Sequence, residues 1–235
     1  MVMGALERHA LAVVQGCGMA SEPVLVGAQG GTIHQLRSNE GELFQVCFQG
    51  TCLYYVQTDS RIPGQAYRMC FSSTCAMAVK YLRPEALQGS NADVTYLHTL
   101  RRYGDTTSAQ AQIRACADYG VTARYGTDGD RSFLEAELRQ GYPVGTGFLH
   151  HGPASAPRGG GHWILAVGYQ PGAGLFNDPY GELDNLNGGY VRIGSGGHNV
   201  AYSWRNWLPR WEVDGPGSGW FMTFRRDDGL PPATV

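Results

Sequence analysis

AYRMCFSSTCAMAVKYLRP, residues 66–84, is the stretch from which the fold can be read outward. It is a loop that turns into a helix, with Cys70 where the helix begins. A cysteine there meets unpaired backbone N–H groups and the positive end of the helix dipole. Both favour the thiolate, the form that attacks. Ser72, Ser73 and Thr74 follow and can satisfy the first-turn donors. Cys75, Ala76, Val79 and Leu82 recur at helical spacing and are expected to face a core. Pro84 stops the run. Taken alone, Cys70 reads equally well as a buried small hydrophobe. Cys75, one turn in and on the core side, is a rival nucleophile whose simpler role is packing.

Upstream, QTDSRIPGQAYRM (57–69) is a loop that delivers the chain to Cys70 and carries two glutamines, Gln57 and Gln65. Before it, residues 44–56 suggest a β-hairpin turning at Gln49-Gly50. That hairpin sets Cys47 opposite Cys52, where a disulfide can form in an oxidising compartment. Residues 22–43 suggest short strands or an irregular lead-in, and residues 1–21 a short helix.

Downstream, three more helices are expected. One spans 92–104, with Val94, Leu97 and Leu100 inward and Gly104 at its end. The next spans 106–120, capped by Thr106 or Thr107, with Ile113, Cys116 and Ala117 inward. The last spans 130–141, with Ser132 and Glu135 in a capping box. The pattern then changes to strand at 142–150, 162–170, 175–179 and 219–225. Residues 181–218 form a Gly- and Asn-rich excursion holding Trp204, Trp207 and Trp211, which either stack on glycan or pack the loop. Helices first and an antiparallel sheet after them give an α+β fold, with the cysteine at the first helix start.

Composition narrows the classes. The chain has 235 residues and 43% hydrophobic side chains, enough for one sizeable core. The formal net charge is −2 with no basic stripe, which argues against a nucleic-acid partner. No apolar run reaches the length of a membrane span. The N-terminus does not read as a clear signal peptide. The six cysteines lack paired C-x-x-C spacing, so no metal site is expected, and nothing calls for a cofactor.

A thiolate nucleophile needs a base and a group to orient it. His162, in RGGGHWILAVGY, opens the strongest strand behind three glycines that leave room for a substrate. Asp178, in NDPYGELD, ends the next strand, and antiparallel pairing brings it back towards His162. The carboxylate would favour the imidazolium and so lower the Cys70 pKa. The Cys70 N–H is one oxyanion donor; Gln57, with Gln65 as alternate, supplies the second. His150 and His151 can touch substrate or metal, though a surface loop is the simpler account.

YYVQTD, RMCFSSTCAMAVKYL, GGGHWILAVGY and NDPYGELD together resemble papain-like cysteine peptidases. More narrowly, they resemble the branch of the double-glycine leader peptidases, whose soluble domains occur in phage endolysins and bacterial cell-wall hydrolases. LHHGP before a glycine-rich loop, as at 149–153, is also found in similar domains. The resemblance covers residues 54 to about 220. It implies Cys70 as nucleophile, His162 as base, Asp178 as orienter and Gln57 as oxyanion donor. The Ala76-Met77 register aligns Cys70, not Cys75, with the family nucleophile.

The implied activity is cleavage of an amide bond, foremost in the peptide stem of peptidoglycan, by an endolysin or secreted antibacterial effector. Alternatives are a leader-type maturation peptidase and a non-catalytic binding domain on the same fold. The implied partner is a peptidoglycan or other peptide, plus an immunity protein or secretion-system component for an effector. The implied place of action is the bacterial cell wall, the periplasm or outside the cell. Residues 1–43 match nothing in the resemblance and are expected to extend a domain at 44–226, with a frayed tail at 227–235.

Overall fold

The structure is a computed structural model that describes residues 54–230 and the backbone of three earlier strands. These are β1 (Val24–Leu25), β2 (Thr32–Ser38) and β3 (Gly41–Cys47). The helix expected over 1–21 and Cys52, and with it the Cys47–Cys52 bridge, lie outside the described residues.

The order that follows is α1 (Cys70–Leu82), α2 (Ala92–Leu100), α3 (Ala109–Asp118), β4 (Val121–Gly129) and α4 (Arg131–Arg139). Then come β5 (Val144–Phe148), β6 (His162–Gln170), β7 (Ala173–Asn177), β8 (Gly181–Leu183), β9 (Tyr190–Ile193), β10 (Val200–Ser203), α5 (Trp204–Trp211) and β11 (Gly219–Arg226). The main sheet is antiparallel, ordered β1-β2-β3-β6-β5-β11-β4, with β7 on β6 and β10 on β7. β8 and β9 form a separate ribbon. The expected α+β class is the observed one. Among the described residues no helix is long and apolar enough to cross a membrane.

α1 is the central helix. It packs against α2 and α3, and across β5 and β6. Cys75, Ala76, Val79 and Leu82 are fully buried, as their helical spacing requires. The helix ends at Leu82, two residues before Pro84, because the residue preceding a proline is pushed out of the helical region.

Several local expectations need correction. The turn of the hairpin expected over 44–56 lies outside the described residues; β3 pairs with β2 from Thr32↔Cys47 to Ser38↔Gly41 and with β6 at Phe44↔Tyr169. Both its edges are taken, and 54–56 carry no strand. α3 is capped by Ser108, whose hydroxyl accepts from the Ala111 N–H, and Ala115 rather than Ala117 faces in. α4 is capped by Asp130, which outcompetes the expected Ser132; the serine instead donates to the Asp130 carboxylate. Asp227 is tied back through its N–H to the Gly120 carbonyl at 3.1 Å.

The excursion at 181–218 is more ordered than its composition suggests. Trp204, Trp207 and Trp211 stand three and four apart on α5, and all are buried. Pro209, inside this short helix, hides the period in the sequence. Trp207 packs on Phe176 and Trp211 at ring-centroid distances of 4.5 and 5.1 Å. The tryptophans therefore build core and are not glycan platforms. Trp207→Ala is expected to lower the unfolding free energy by about 3–5 kcal/mol in urea titration; a loss below about 1 kcal/mol would contradict this packing role.

Candidate active site

Cys70 occupies the first position of α1 and is half-buried. The N-cap is Met69, which offers no side-chain acceptor. Contrary to expectation, the hydroxyls that follow do not cap the first turn. Ser72 donates to the Met69 carbonyl at 3.0 Å, and Ser73 donates to Asp93 on α2 at 2.9 Å. They point into the core because positions 72–74 lie inside the helix, where a hydroxyl turns back on its own ladder or a neighbour. The N–H groups of the first turn are thus left to the thiol and to whatever docks beside it.

His162 opens β6, and Asp178 stands one residue past the end of β7. The register pairs Leu165 with Asn177, so one step further Asp178 is opposite Ile164 and diagonal to His162 on the same face. The side chains close that diagonal: His162 Nε2 lies 2.8 Å from Asp178 Oδ1. With Nε2 engaged, Nδ1 is the ring atom left for Cys70, whose thiol pKa the His162 ring lowers. Beside them Phe71 and Trp163, the next residue on each element, stack at 3.8 Å and 3°. That stack fixes the helix start against the strand start. Gly147 makes room for it, since a Cβ there would come within 2.9 Å of the Trp163 ring.

Asp178 is held from every side. Oδ1 also accepts the Tyr180 N–H at 3.0 Å, while Oδ2 accepts the hydroxyls of Tyr202 at 3.1 Å and Tyr190 at 3.3 Å. Its N–H donates to the Gly197 carbonyl, an approach so close that a Cβ on Gly197 would collide with Asp178 O. The sequence gives no signal for Tyr190 or Tyr202, whose partner lies 12 and 24 residues away.

Gln57 is buried in a 3₁₀ turn over Gln57–Asp59. Its N–H donates to the Pro179 carbonyl at 2.9 Å, which fixes it beside Asp178. One hydrogen of its amide goes to the Ala66 carbonyl at 2.8 Å. A primary amide has a second, which remains for a ligand. Gln57, Cys70 and His162 line one cleft of about 540 Å³, with Tyr67, Tyr180, Tyr190 and Trp220 at its walls. The alternate, Gln65, is not among its lining residues. Cys75 is fully buried against Cys116 and Tyr96, and burial pushes its thiol up, the opposite of what a nucleophile needs. His150 lies beside His162, ring centroids 5.5 Å apart. Burial, and then the charge of His162, push it down to about 3, so it stays neutral.

Burial alone would raise the Cys70 thiol. The hydrogen bond and charge of His162, with the N–H groups of Trp163 and Phe71, overcome that and leave it below its ordinary value. Burial likewise opposes charge on His162, but Asp178 and Cys70 push the ring up to about 10. The two shifts act on stability with opposite signs. The raised His162 ring contributes stability that is full below about 6.5 and is lost as pH rises towards about 10. The lowered Cys70 thiol contributes stability that is full above about 8.5 and is lost as pH falls through its lowered value.

The sequence profile of the Peptidase_C39 like family matches residues 51–205. No curated protein matches the chain. Among solved structures, a chain from Bacillus anthracis described as a C39-like peptidase is 13% identical, with 74% of this chain and 95% of that one covered at a TM-score of 0.46. The Pseudomonas avirulence protein AvrPphB is 11% identical, with 67% and 91% covered at a TM-score of 0.27. The profile match and the helices packed on an antiparallel sheet are those of the papain-like fold expected from the sequence.

The alkylation rate of Cys70 by iodoacetamide is expected to rise along a pH limb below the ordinary thiol value of about 8.5. In Asp178→Asn the limb should move up towards that value, because the imidazolium loses its carboxylate. Identical limbs would separate Asp178 from the thiol.

Proposed function

We propose that this chain, which belongs to the Peptidase_C39 like family of cysteine peptidases, hydrolyses an amide bond through Cys70, His162, Asp178 and Gln57. The observation that carries this is the buried His162–Asp178 bond on the cleft that the helix-start Cys70 also lines. The Cys70 thiolate attacks the scissile carbonyl carbon. The oxyanion that forms takes hydrogen bonds from the Cys70 N–H and the second Gln57 amide hydrogen. His162 gives its proton to the leaving nitrogen as the tetrahedral intermediate collapses to a thioester. The neutral ring then takes a proton from water, which attacks the thioester and releases the acid and the Cys70 thiolate. Asp178 holds the ring with Nδ1 forward through both steps.

The substrate we propose is the peptide stem of bacterial peptidoglycan. Support comes from the resemblance of the four motifs and LHHGP to soluble cell-wall hydrolase domains. An open cleft beside Gly160 and Gly161 is consistent with a branched substrate. The second reading is a polypeptide cut during maturation, which the resemblance of the same motifs to leader peptidases implies.

Purified protein is expected to release stem fragments from sacculi, read by mass spectrometry, and Cys70→Ala to release none. Gln57→Ala is expected to lower kcat by about 100-fold with KM little changed, the usual cost of one oxyanion donor. Cleavage of leader-bearing polypeptide but not of sacculi would replace the first substrate with the second. Release by Cys70→Ala equal to the unmodified protein would remove Cys70 from the chemistry.

A further inference from the structure

Arg210 lies on α5, outside the residues so far given a role, and it is completely buried. A buried cation is costly unless every donor is matched. Here each is, and by main-chain carbonyls. Nε donates to Asn185 O at 3.1 Å; Nη1 donates to Leu149 O and His151 O at 3.3 and 3.4 Å; Nη2 donates to Gly152 O and Leu186 O at 2.8 and 3.4 Å. A guanidinium has five N–H donors, and these bonds use all of them. The Leu149 N–H returns a bond to the Arg210 carbonyl at 3.0 Å.

The acceptors belong to two segments. The first, 149–152, continues through the His151↔Arg158 bridge to His162. The second, 185–186, continues to Tyr190, whose hydroxyl holds Asp178. The segments also bond to each other: Gly189 N–H to His150 O and Ala154 N–H to Leu186 O, both at 2.8 Å. Neither segment has a regular element of its own, so these two bonds and the shared Arg210 anchor together set their relative position.

We propose that Arg210 is a positioning residue for the Cys70–His162–Asp178 site. It holds in one register the segment that delivers His162 and the segment that delivers Tyr190 to Asp178. The proposal rests on the roles given above to Cys70 and His162. Lysine cannot replace it, since an ammonium has three donors and no planar fork.

The test needs no substrate. Alkylation of Cys70 is followed against pH in Arg210→Lys, Arg210→Met and Leu138→Ala. Leu138 is a buried residue of α4 that does not line the cleft, so its loss reports destabilisation alone. Both Arg210 variants are expected to move the limb up by about one pH unit, with Leu138→Ala unmoved. Folded Arg210 variants that keep the unmodified limb, or a Leu138→Ala limb displaced as far, would overturn the proposal. If the Arg210 variants do not fold, hydrogen exchange of the unmodified protein decides. The amides of Leu149, Ala154 and Gly189 should then open as one unit, and independent opening would overturn it. An unmodified protein whose Cys70 titrates as an ordinary thiol would instead fail the underlying site assignment, and the proposal with it.

Discussion

The hydrogen bond from His162 to Asp178, 2.8 Å long and shut away from solvent, is the constraint on which the rest of the site depends. A histidine buried to this degree would ordinarily stay neutral, and a neutral imidazole does little to draw the proton from a thiol. The carboxylate reverses that balance. Three further donors meet it: the Tyr180 N–H and the hydroxyls of Tyr190 and Tyr202. These come from the β7–β8 turn, β9 and β10. Three separate segments of the C-terminal half thus converge on one carboxylate. The charge it sustains on His162 acts on Cys70 at the mouth of α1.

The helical half meets this network at a narrow seam. Phe71 and Trp163 stack where α1 and β6 begin, and Gln57 reaches the same place through the Pro179 carbonyl. The uncapped first turn of α1 fits the same logic. A side chain capping those N–H groups would stabilise the helix, by about 1 kcal/mol in typical cases, but would occupy donors that the proposed thiolate and oxyanion would use. Ser72 and Ser73 secure the helix from below instead, leaving its mouth open.

Much of this was legible in the sequence because it rests on short-range pattern. The helical period around Cys75, Val79 and Leu82 predicts α1 and its buried face. The apolar run from His162 predicts β6, and Asp178 at the next strand end predicts the diagonal to His162. What was not legible depends on contacts between distant positions. β3 pairs with β2 and with β6, more than a hundred residues further on, a partner that local turn chemistry cannot predict. Tyr190, Tyr202 and Arg210 look like ordinary residues of a Gly- and Asn-rich stretch, and only the fold brings them to Asp178 and to the loop carbonyls. Asp130 and Ser108 displaced the expected caps by one or two positions, which periodicity alone does not resolve.

The most direct test of the account is nitrogen NMR of the His162 ring at pH 8 in protein labelled with nitrogen-15. The buried ion pair predicts that both ring nitrogens carry a proton there, with titration only near 10. A singly protonated, neutral ring that titrates near the ordinary value of about 6.5 would contradict it, and would leave Cys70 as an unactivated thiol.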